Sequence, residues 1–388
     1  MSTAATPGNG NGYVYLDHAA TSPMRAEVRE AMAPFESEVF ANPSGSHRFA
    51  REARRAVDEA RDTVAAAIGC DPGEVVFTSG GTEGANAAIL GAVRLHGGTA
   101  VCPATEHHAV LHCVEHLGGR VVPVTADGPV DPGLLREELS AIPDVSVVSV
   151  MAVNNETGAV NDMEAVSHAV RGRAEGAVLH TDAVQAACWL DLREVWPHVD
   201  VLTLSAHKFG GPKGAGVMVV RDGTRLEPLI LGGGQERDRR SGTLNVAGII
   251  GTAEALRITD ESRSGEVARI SALRDELLAG LLASIPNAVA TIPAGSGVAG
   301  TAHVCLEGME SESLLYLLDT AGVCVSAASA CASGAMEPSH VLAAMGIPRN
   351  RMMGSLRFSL GHTTTRNDIE AALAATVAAA GRLATARS

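Results

Sequence analysis

Lysine is almost absent from this chain of 388 residues. Of its 30 basic residues only two are lysines, Lys208 and Lys213, and both lie within residues 207–213. Codon usage in a GC-rich genome explains the scarcity but not the location. Arginine performs most surface roles of lysine, yet it does not lose its proton to become a nucleophilic amine. The two lysines are therefore candidates for amine chemistry.

Other features are also scarce, and each scarcity excludes a class of protein. The seven cysteines form no CxxC pair, which argues against a disulfide framework and a zinc ribbon. Apolar runs stay well short of the about 20 residues that a membrane-spanning helix needs. The net charge of −14 argues against binding to nucleic acid or to an anionic membrane. Residues 1–12 lack the charged and apolar regions of a secretory signal, so we expect a cytoplasmic protein with a flexible tail at 1–12. We also expect no metal site.

The middle of the chain alternates short β-branched runs with amphipathic helical patterns. The candidate strands are residues 74–78, 99–103, 120–124, 145–153, 177–181, 199–204 and 216–221. Such alternation is typical of βαβ units around a mostly parallel, buried sheet. We therefore predict an α/β fold in which helices flank a mostly parallel central sheet.

The pattern changes after Arg257, where residues 258–267 turn polar before a predicted helix at 268–284. The remainder mixes a few strands with helices, which is typical of a smaller α+β domain. We predict a large domain at 18–260 and a small domain at 261–388, which segment 13–17 joins.

Unusual polar residues collect where the predicted strands end. They comprise a Gly-rich turn at 79–84, the imidazole of His107, the amide of Asn155, the carboxylate of Asp182 and the amine of Lys208. Each alone has an ordinary explanation as a helix cap or a solvated loop residue. In open α/β sheets, however, ligands bind beyond the carboxyl ends of the strands, so these groups are expected to converge. Together they supply what pyridoxal phosphate needs: a phosphate cradle, an anion for the pyridinium nitrogen and a Schiff-base lysine.

Two residues of the C-terminal third are candidates for the substrate side of such a site. Arg357 lies inside a strand-like pattern, where it either pairs structurally or clamps a carboxylate in a cavity. Cys331 lies among small, polar, loop-like residues, whereas most of the other cysteines are in apolar contexts. It is a candidate nucleophile if its surroundings lower the pKa of its thiol.

Six motifs in order give the chain a close resemblance to the NifS/IscS-type cysteine desulfurases, enzymes of the class V, fold-type I aminotransferase group. The motifs are Thr78-Ser-Gly-Gly-Thr-Glu83, Val153-Asn-Asn-Glu-Thr-Gly158, Thr181-Asp-Ala-Val-Gln185, Ser205-Ala-His-Lys-Phe-Gly-Gly-Pro-Lys213, Arg240-Ser-Gly-Thr243 and Ser329-Ala-Cys331. The resemblance runs from Val14 to Gly361. It implies a fold-type I pyridoxal-phosphate-dependent transferase with a large cofactor-binding domain and a smaller α+β domain.

The resemblance implies a role for each residue at the strand ends. Lys208 is similar to the Schiff-base lysine that also shuttles protons, and Asp182 to the partner of the pyridinium nitrogen. His107 is expected to stack on the ring and to transfer protons. Asn155 and Gln185 are expected near the phenolic oxygen, with Asn155 also near the substrate. The residues expected to hold the phosphate are Gly81, Thr82, Ser205 and His207.

The resemblance also implies a reaction and partners. Arg357 would bind the carboxylate of L-cysteine, and Cys331 would take the substrate sulfur as a persulfide and leave L-alanine. The persulfide would pass to an acceptor protein, in iron–sulfur assembly or in thiolation of RNA, DNA or a cofactor. Thr243 is expected to reach the phosphate of the partner subunit, which makes a homodimer part of the site.

Three other functions compete with this one. A selenocysteine lyase or another β-eliminating lyase of the same fold would tolerate the loss of Cys331. A degenerate scaffold that only binds sulfur-transfer partners is disfavoured by the intact Lys208, Asp182, His107 and Cys331. A DNA-binding regulator with an aminotransferase-like body is disfavoured by the charge of −14 and the lack of an added DNA-binding module.

Overall fold

The structure of the protein is a computed structural model that describes residues 12–327 and 338–385. The strands of these ranges are β1 (Val14–Tyr15), β2 (Val75–Thr78), β3 (Thr99–Pro103), β4 (Arg120–Val122), β5 (Val145–Ser149), β6 (Val178–Asp182), β7 (Val201–Ser205), β8 (Gly216–Val220), β9 (Ala288–Ala290), β10 (Thr301–Leu306), β11 (Val323–Cys324) and β12 (Ser355–Ser359). The α-helices are α1 (Ala26–Ser37), α2 (Arg48–Ile68), α3 (Gly81–His96), α4 (His108–His116), α5 (Pro132–Ser140), α6 (Met163–Arg171), α7 (Leu192–Val195), α8 (Val246–Ser284), α9 (Ser311–Thr320), α10 (His340–Ala344), α11 (Arg349–Met352) and α12 (Arg366–Thr385).

A seven-stranded sheet in the order β2-β8-β7-β6-β5-β3-β4 forms the centre of the larger part of the chain. Neighbouring strands are parallel from β4 to β7, and only β8 runs antiparallel to both of its neighbours. The prediction of a mostly parallel sheet flanked by helices is confirmed. Because β8 is antiparallel to both β7 and β2, these two strands run in the same direction. Their carboxyl ends therefore lie at the same edge of the sheet.

The helices begin and end where local chemistry favours it. Asp131 and Asp162 cap α5 and α6 by accepting hydrogen bonds from Leu134 N (2.8 Å) and Ala165 N (3.0 Å). Helix α2 ends at Gly69, whose φ of 81° is the left-handed conformation that glycine adopts without a Cβ clash. These caps satisfy backbone groups that would otherwise lack partners at the helix ends.

Helix α8 passes without interruption through the predicted break at 258–267. The polar residues there do not end the helix, because they pair along it: Arg257 with Glu254 and Glu261, and Arg269 with Glu266. The predicted start of this helix at residue 268 is therefore wrong, since α8 begins at Val246.

Two separate apolar cores support the idea of two domains, although the boundaries stay a prediction. The first half of α8, with Ile249 and Leu256, packs in the core of the large sheet, and the second half, with Leu277 and Leu281, packs in the core of the smaller one. The predicted boundary at 260/261 thus lies inside a helix that both cores share. Segment 13–17 contributes Leu16 to the smaller core, and β1 pairs with β11.

A buried ion pair holds the loop that leads to Thr243. Residues 236–238 have φ angles of 48°, 57° and 64°, in the left-handed region that non-glycine residues rarely adopt. The Glu236 carboxylate accepts two hydrogen bonds from Arg61 (3.0 and 2.6 Å) and one from Phe77 N (2.8 Å). The side chains are 10% exposed for Arg61 and 1% for Glu236, so water does not replace either partner.

Glu236→Ala is expected to lower the free energy of unfolding by about 3–5 kcal/mol, because it leaves the buried charge of Arg61 unpaired. Urea denaturation of both proteins measures the difference. Glu59→Ala is the control, because its pair with Arg55 is exposed and contributes less than about 1 kcal/mol. Equal effects of the two substitutions would contradict the structural role of Glu236.

Candidate active site

The carboxyl ends of the central strands open into one cavity, which Arg357 from β12 and the backbone around Ala19 and Ala20 close from the other side. Ten of the residues singled out by sequence line it: Gly81, Thr82, His107, Asn155, Asp182, Gln185, Ser205, His207, Lys208 and Arg357. The predicted convergence of the strand ends is therefore present in the structure. The roles of the individual residues stay predictions.

A cradle suited to a phosphate lies where α3 begins. Gly81 is the first residue of α3, and a Cβ on it would lie 2.6 Å from Val184 Cγ2, so only glycine fits without a shift. The free N–H groups of a helix N-terminus attract an anion. Burial, with help from the two lysine charges, lowers the pKa of His207 to about 4, so its ring is neutral at pH 7. Its Nδ1 lies 3.1 Å from Thr21 Oγ1.

Asp182 ends β6 as a buried carboxylate. Its Oδ1 accepts a hydrogen bond from Val184 N (2.9 Å), and no salt bridge reaches it from the residues that the structure describes. Burial raises the pKa of Asp182, against the opposing effect of His107 and Lys208. A buried carboxylate of this kind gains stability from a cation placed beside it. Asp182 is thus suited to hold the proton on a ring nitrogen.

Lys208 follows β7 and points its amine at the backbone of the N-terminal segment. Its Nζ donates to Ala19 O (2.5 Å) and Ala20 O (2.9 Å). Burial, together with the positive charge of Arg357, lowers the pKa of Lys208 to about 8, although the charges of Asp182 and Asp17 oppose the shift. The amine is therefore prepared to act as a nucleophile and a base near neutral pH.

This shift predicts how amine labelling of Lys208 depends on pH. In the protein without cofactor, only the neutral amine reacts, so the rate at Lys208 is expected to rise to half its maximum near pH 8, with about 10% of that maximum at pH 7. Acylation at graded pH followed by peptide mass spectrometry separates Lys208 from Lys213. A midpoint for Lys208 above pH 10 would contradict the desolvation argument.

His107 and Asn155 both line the cavity. His107 caps α4, with its Nδ1 accepting from Ala109 N (3.1 Å), so in the neutral ring Nε2 carries the proton. Asn155 Oδ1 is buried without a hydrogen-bond partner among the described residues. Gln185 instead donates from Nε2 to Ala19 O (2.8 Å). The unpaired amide oxygen of Asn155 is an open position for a ligand donor.

Arg357 is paired within the protein and also lines the cavity, so its binding of a carboxylate stays a prediction. It is 5% exposed, donates from NH1 to Asn155 O (2.8 Å), and pairs through NH2 with Asp17 Oδ1 (2.8 Å). It also lines the cavity, and its Nε has no partner among the residues that the structure covers. The guanidinium is thus held by the protein with donors left for a carboxylate.

Two predicted site residues do not line the cavity in the described part of the chain. Thr243 is exposed to solvent, and its expected role toward the partner subunit stays a prediction. Cys331 lies outside the described residues. Among the described residues before and after it in sequence, Ser326 pairs through backbone hydrogen bonds with Arg357, which lines the cavity, and Ser339 donates to Glu156 (2.5 Å).

Sequence reasoning missed several residues that shape the site. Asp17 and the carbonyls of Ala19 and Ala20 hold Arg357 and Lys208, although the same stretch contributed only to the family resemblance. Glu106 is fully buried, and desolvation raises its pKa well above the usual range. The only signal for Glu106 in the sequence was its place as a polar residue shortly after a short apolar strand. Such residues are too common to identify a functional site on their own.

The groups that line the cavity fit pyridoxal phosphate. Gly81, Thr82, Ser205 and His207 offer donors for a phosphate; Asp182 offers an unpaired carboxylate. The unpaired Oδ1 of Asn155 offers an acceptor, and Lys208 offers an amine. Among the described residues no helix is both long and apolar enough to cross a membrane.

Comparisons with known proteins agree with this geometry. Residues 14–372 match the family model "Aminotransferase class-V". The chain is 42% identical to a cysteine desulfurase IscS of Dictyoglomus turgidum, over 92% of this chain and 91% of that protein. It is also 42% identical to an IscS-like cysteine desulfurase of Mycobacterium tuberculosis, over 92% and 94%.

Solved structures give the same result. A NifS-like protein superposes with a TM-score of 0.88 at 33% identity, over 96% of this chain and 100% of that one. The structure of DndA from Streptomyces lividans superposes with a TM-score of 0.74 at 35% identity, over 89% and 99%. The chain therefore belongs to the class-V aminotransferase family of pyridoxal-phosphate enzymes and, within it, to the IscS- and NifS-like cysteine desulfurases.

Proposed function

We propose that this protein removes sulfur from L-cysteine, with pyridoxal phosphate as cofactor, and stores it as a persulfide on Cys331. The observation that carries the proposal is the cavity itself. Its lining includes Arg357, an amine with a lowered pKa (Lys208), a buried carboxylate (Asp182) and a helix N-terminus suited to a phosphate.

The protein groups divide the work of the reaction between them. Pyridoxal phosphate supplies an electron sink for negative charge at the carbon next to the substrate amine. Asp182 keeps the proton on the ring nitrogen, and Lys208 Nζ takes the proton from the substrate α-carbon. Arg357 holds the substrate carboxylate through its remaining N–H donors.

Cys331 carries the group transfer. Its thiolate attacks the substrate sulfur, so a new S–S bond forms while the Cβ–S bond breaks. The electron pair of that bond stays with the carbon framework, which gains protons and leaves as L-alanine. The products, L-alanine and a persulfide, balance the atoms of L-cysteine and the thiol. The persulfide sulfur then passes to a nucleophile on an acceptor protein.

The proposal extends to partners. Thr243, exposed at the end of the loop held by Glu236, is suited to reach the phosphate site of a second subunit in a homodimer. The acceptor belongs to iron–sulfur assembly or to thiolation of RNA, DNA or a cofactor; the named relatives include proteins of the IscS type. The cytoplasmic location stays a prediction.

Incubation of the cofactor-loaded protein with L-cysteine and a reductant tests the proposal. We expect equal amounts of L-alanine and sulfide. A selenocysteine lyase would release alanine from L-selenocysteine and very little from L-cysteine. Formation of a keto acid in place of alanine would show transamination instead, and absence of both products would overturn the proposal.

A further inference from the structure

The short segment 17–22 contacts both ends of the proposed substrate site. The carboxylate of Asp17 binds Arg357 NH2 at 2.8 Å, and the carbonyls of Ala19 and Ala20 accept from Lys208 Nζ. Ser22 Oγ donates to Lys208 O (3.1 Å). One stretch of backbone therefore connects the guanidinium with the amine.

The segment is itself fixed in place. Ala19 N donates to Ser359 Oγ (2.9 Å), and Asp17 forms a bridge with Ser359 at the end of β12, two residues after Arg357. The Tyr15 hydroxyl donates to the carbonyls of Asp17 (3.1 Å) and Thr21 (2.8 Å), which closes the segment into a compact turn. A carboxylate on such a turn has a defined position relative to Arg357.

Asp17 restricts the orientation in which the Arg357 guanidinium can bind a carboxylate. A guanidinium has five N–H donors in a fixed plane. NH1 is engaged by Asn155 O and NH2 by Asp17, and these two anchors set the orientation of that plane. Without Asp17, the side chain would keep one anchor and gain freedom to rotate.

We propose that Asp17 is a positioning residue for the substrate carboxylate, which it serves by holding the Arg357 guanidinium in register with the amine of Lys208. This inference rests on the proposed function, because it assumes that Arg357 binds that carboxylate. Asp17 itself is not among the residues that line the cavity. Its loss should therefore weaken binding of ligands that carry a carboxylate, and only those.

A pair of matched ligands tests this on the cofactor-loaded enzyme. L-alanine carries the carboxylate, whereas L-alaninamide is the same molecule with a neutral amide. In Asp17→Ala, we expect the Kd of L-alanine to rise at least about tenfold, as measured by the cofactor absorbance. A rise of this size corresponds to the loss of one charge-assisted hydrogen bond between Arg357 and the ligand carboxylate. The Kd of L-alaninamide should change less than about twofold. The KM of L-cysteine should rise with L-alanine, and kcat should stay within about threefold.

Two further variants separate position from folding and charge. Asp17→Asn keeps the shape of the side chain and loses its charge, and an intermediate effect on L-alanine is expected. Asp200→Asn removes the charge from a comparable ion pair, the one with Arg171, which lies outside the cavity. The Kd values of L-alanine and L-alaninamide should therefore stay unchanged in this variant. Equal weakening of both ligands in Asp17→Ala and Asp17→Asn would overturn the inference and indicate a structural role only.

The outcomes also distinguish this inference from the proposed function. If the wild-type enzyme forms alanine from L-cysteine and Asp17→Ala binds L-alanine as tightly as before, only the inference about Asp17 is overturned. If the wild-type enzyme forms no alanine from L-cysteine, the proposed function fails, and the inference falls with it.

Discussion

Lys208→Ala is expected to lower the rate of L-alanine formation from L-cysteine at least about a thousandfold. In the proposed reaction Lys208 holds the cofactor and moves the substrate proton, and loss of positioned acid–base and nucleophilic groups costs this much or more. No neighbouring amine can replace it, because the only other lysine, Lys213, is exposed and does not line the cavity. Alanine release under saturating L-cysteine measures the loss.

The second lysine provides the matched control. Lys213→Arg keeps the charge at an exposed position outside the cavity, so its rate should stay within about threefold of the wild type. The cofactor should remain noncovalently bound in Lys208→Ala, since the phosphate cradle and Asp182 are unchanged. Full activity of Lys208→Ala, or equal losses in the two variants, would remove Lys208 from the chemistry.

The convergence of the site was predictable because its residues follow β-strands directly. The direction of a buried parallel strand determines where its carboxyl end lies, so Asp182 and Lys208 had to reach the same edge once the strands were identified. The scarcity of lysine also restricted the candidates for a reactive amine to the two lysines within residues 207–213. Topology and composition were sufficient here, and no side-chain packing had to be known.

Other features depended on contacts between distant parts of the chain. Helix α8 continues past Arg257 between two apolar cores, and residues distant in sequence form both cores, so the polar composition of the stretch did not reveal the continuous helix. Asp17 pairs with Arg357 across 340 positions of sequence, a separation at which periodicity carries no information. The sequence alone therefore located the site but not the residues that hold its parts in position.

Cys331→Ser is expected to reduce alanine formation from L-cysteine at least about a thousandfold while the cofactor stays bound. A serine hydroxyl is a poor nucleophile toward sulfur, and its oxygen forms no persulfide, so the Cβ–S bond has no acceptor for its sulfur. The residues that line the cavity and are expected to hold the cofactor are unchanged by the substitution. Alanine and persulfide are measured together, with cofactor absorbance as the check on binding.

Cys70→Ser is the control, because Cys70 follows α2 and does not line the cavity. The rate of this variant should stay within about threefold of the wild type.

L-selenocysteine as substrate then distinguishes a cysteine desulfurase from a selenocysteine lyase, which share this architecture. Selenium leaves carbon more readily than sulfur, so a lyase site needs no thiol to accept it, whereas a desulfurase acting on L-cysteine does. If Cys331→Ser keeps full activity with L-cysteine, sulfur leaves without a protein nucleophile, and the persulfide route is excluded for this chain. If activity is lost with L-cysteine but retained with L-selenocysteine, Lys208 and Asp182 are shown to work independently of the thiol, which then acts in sulfur transfer alone.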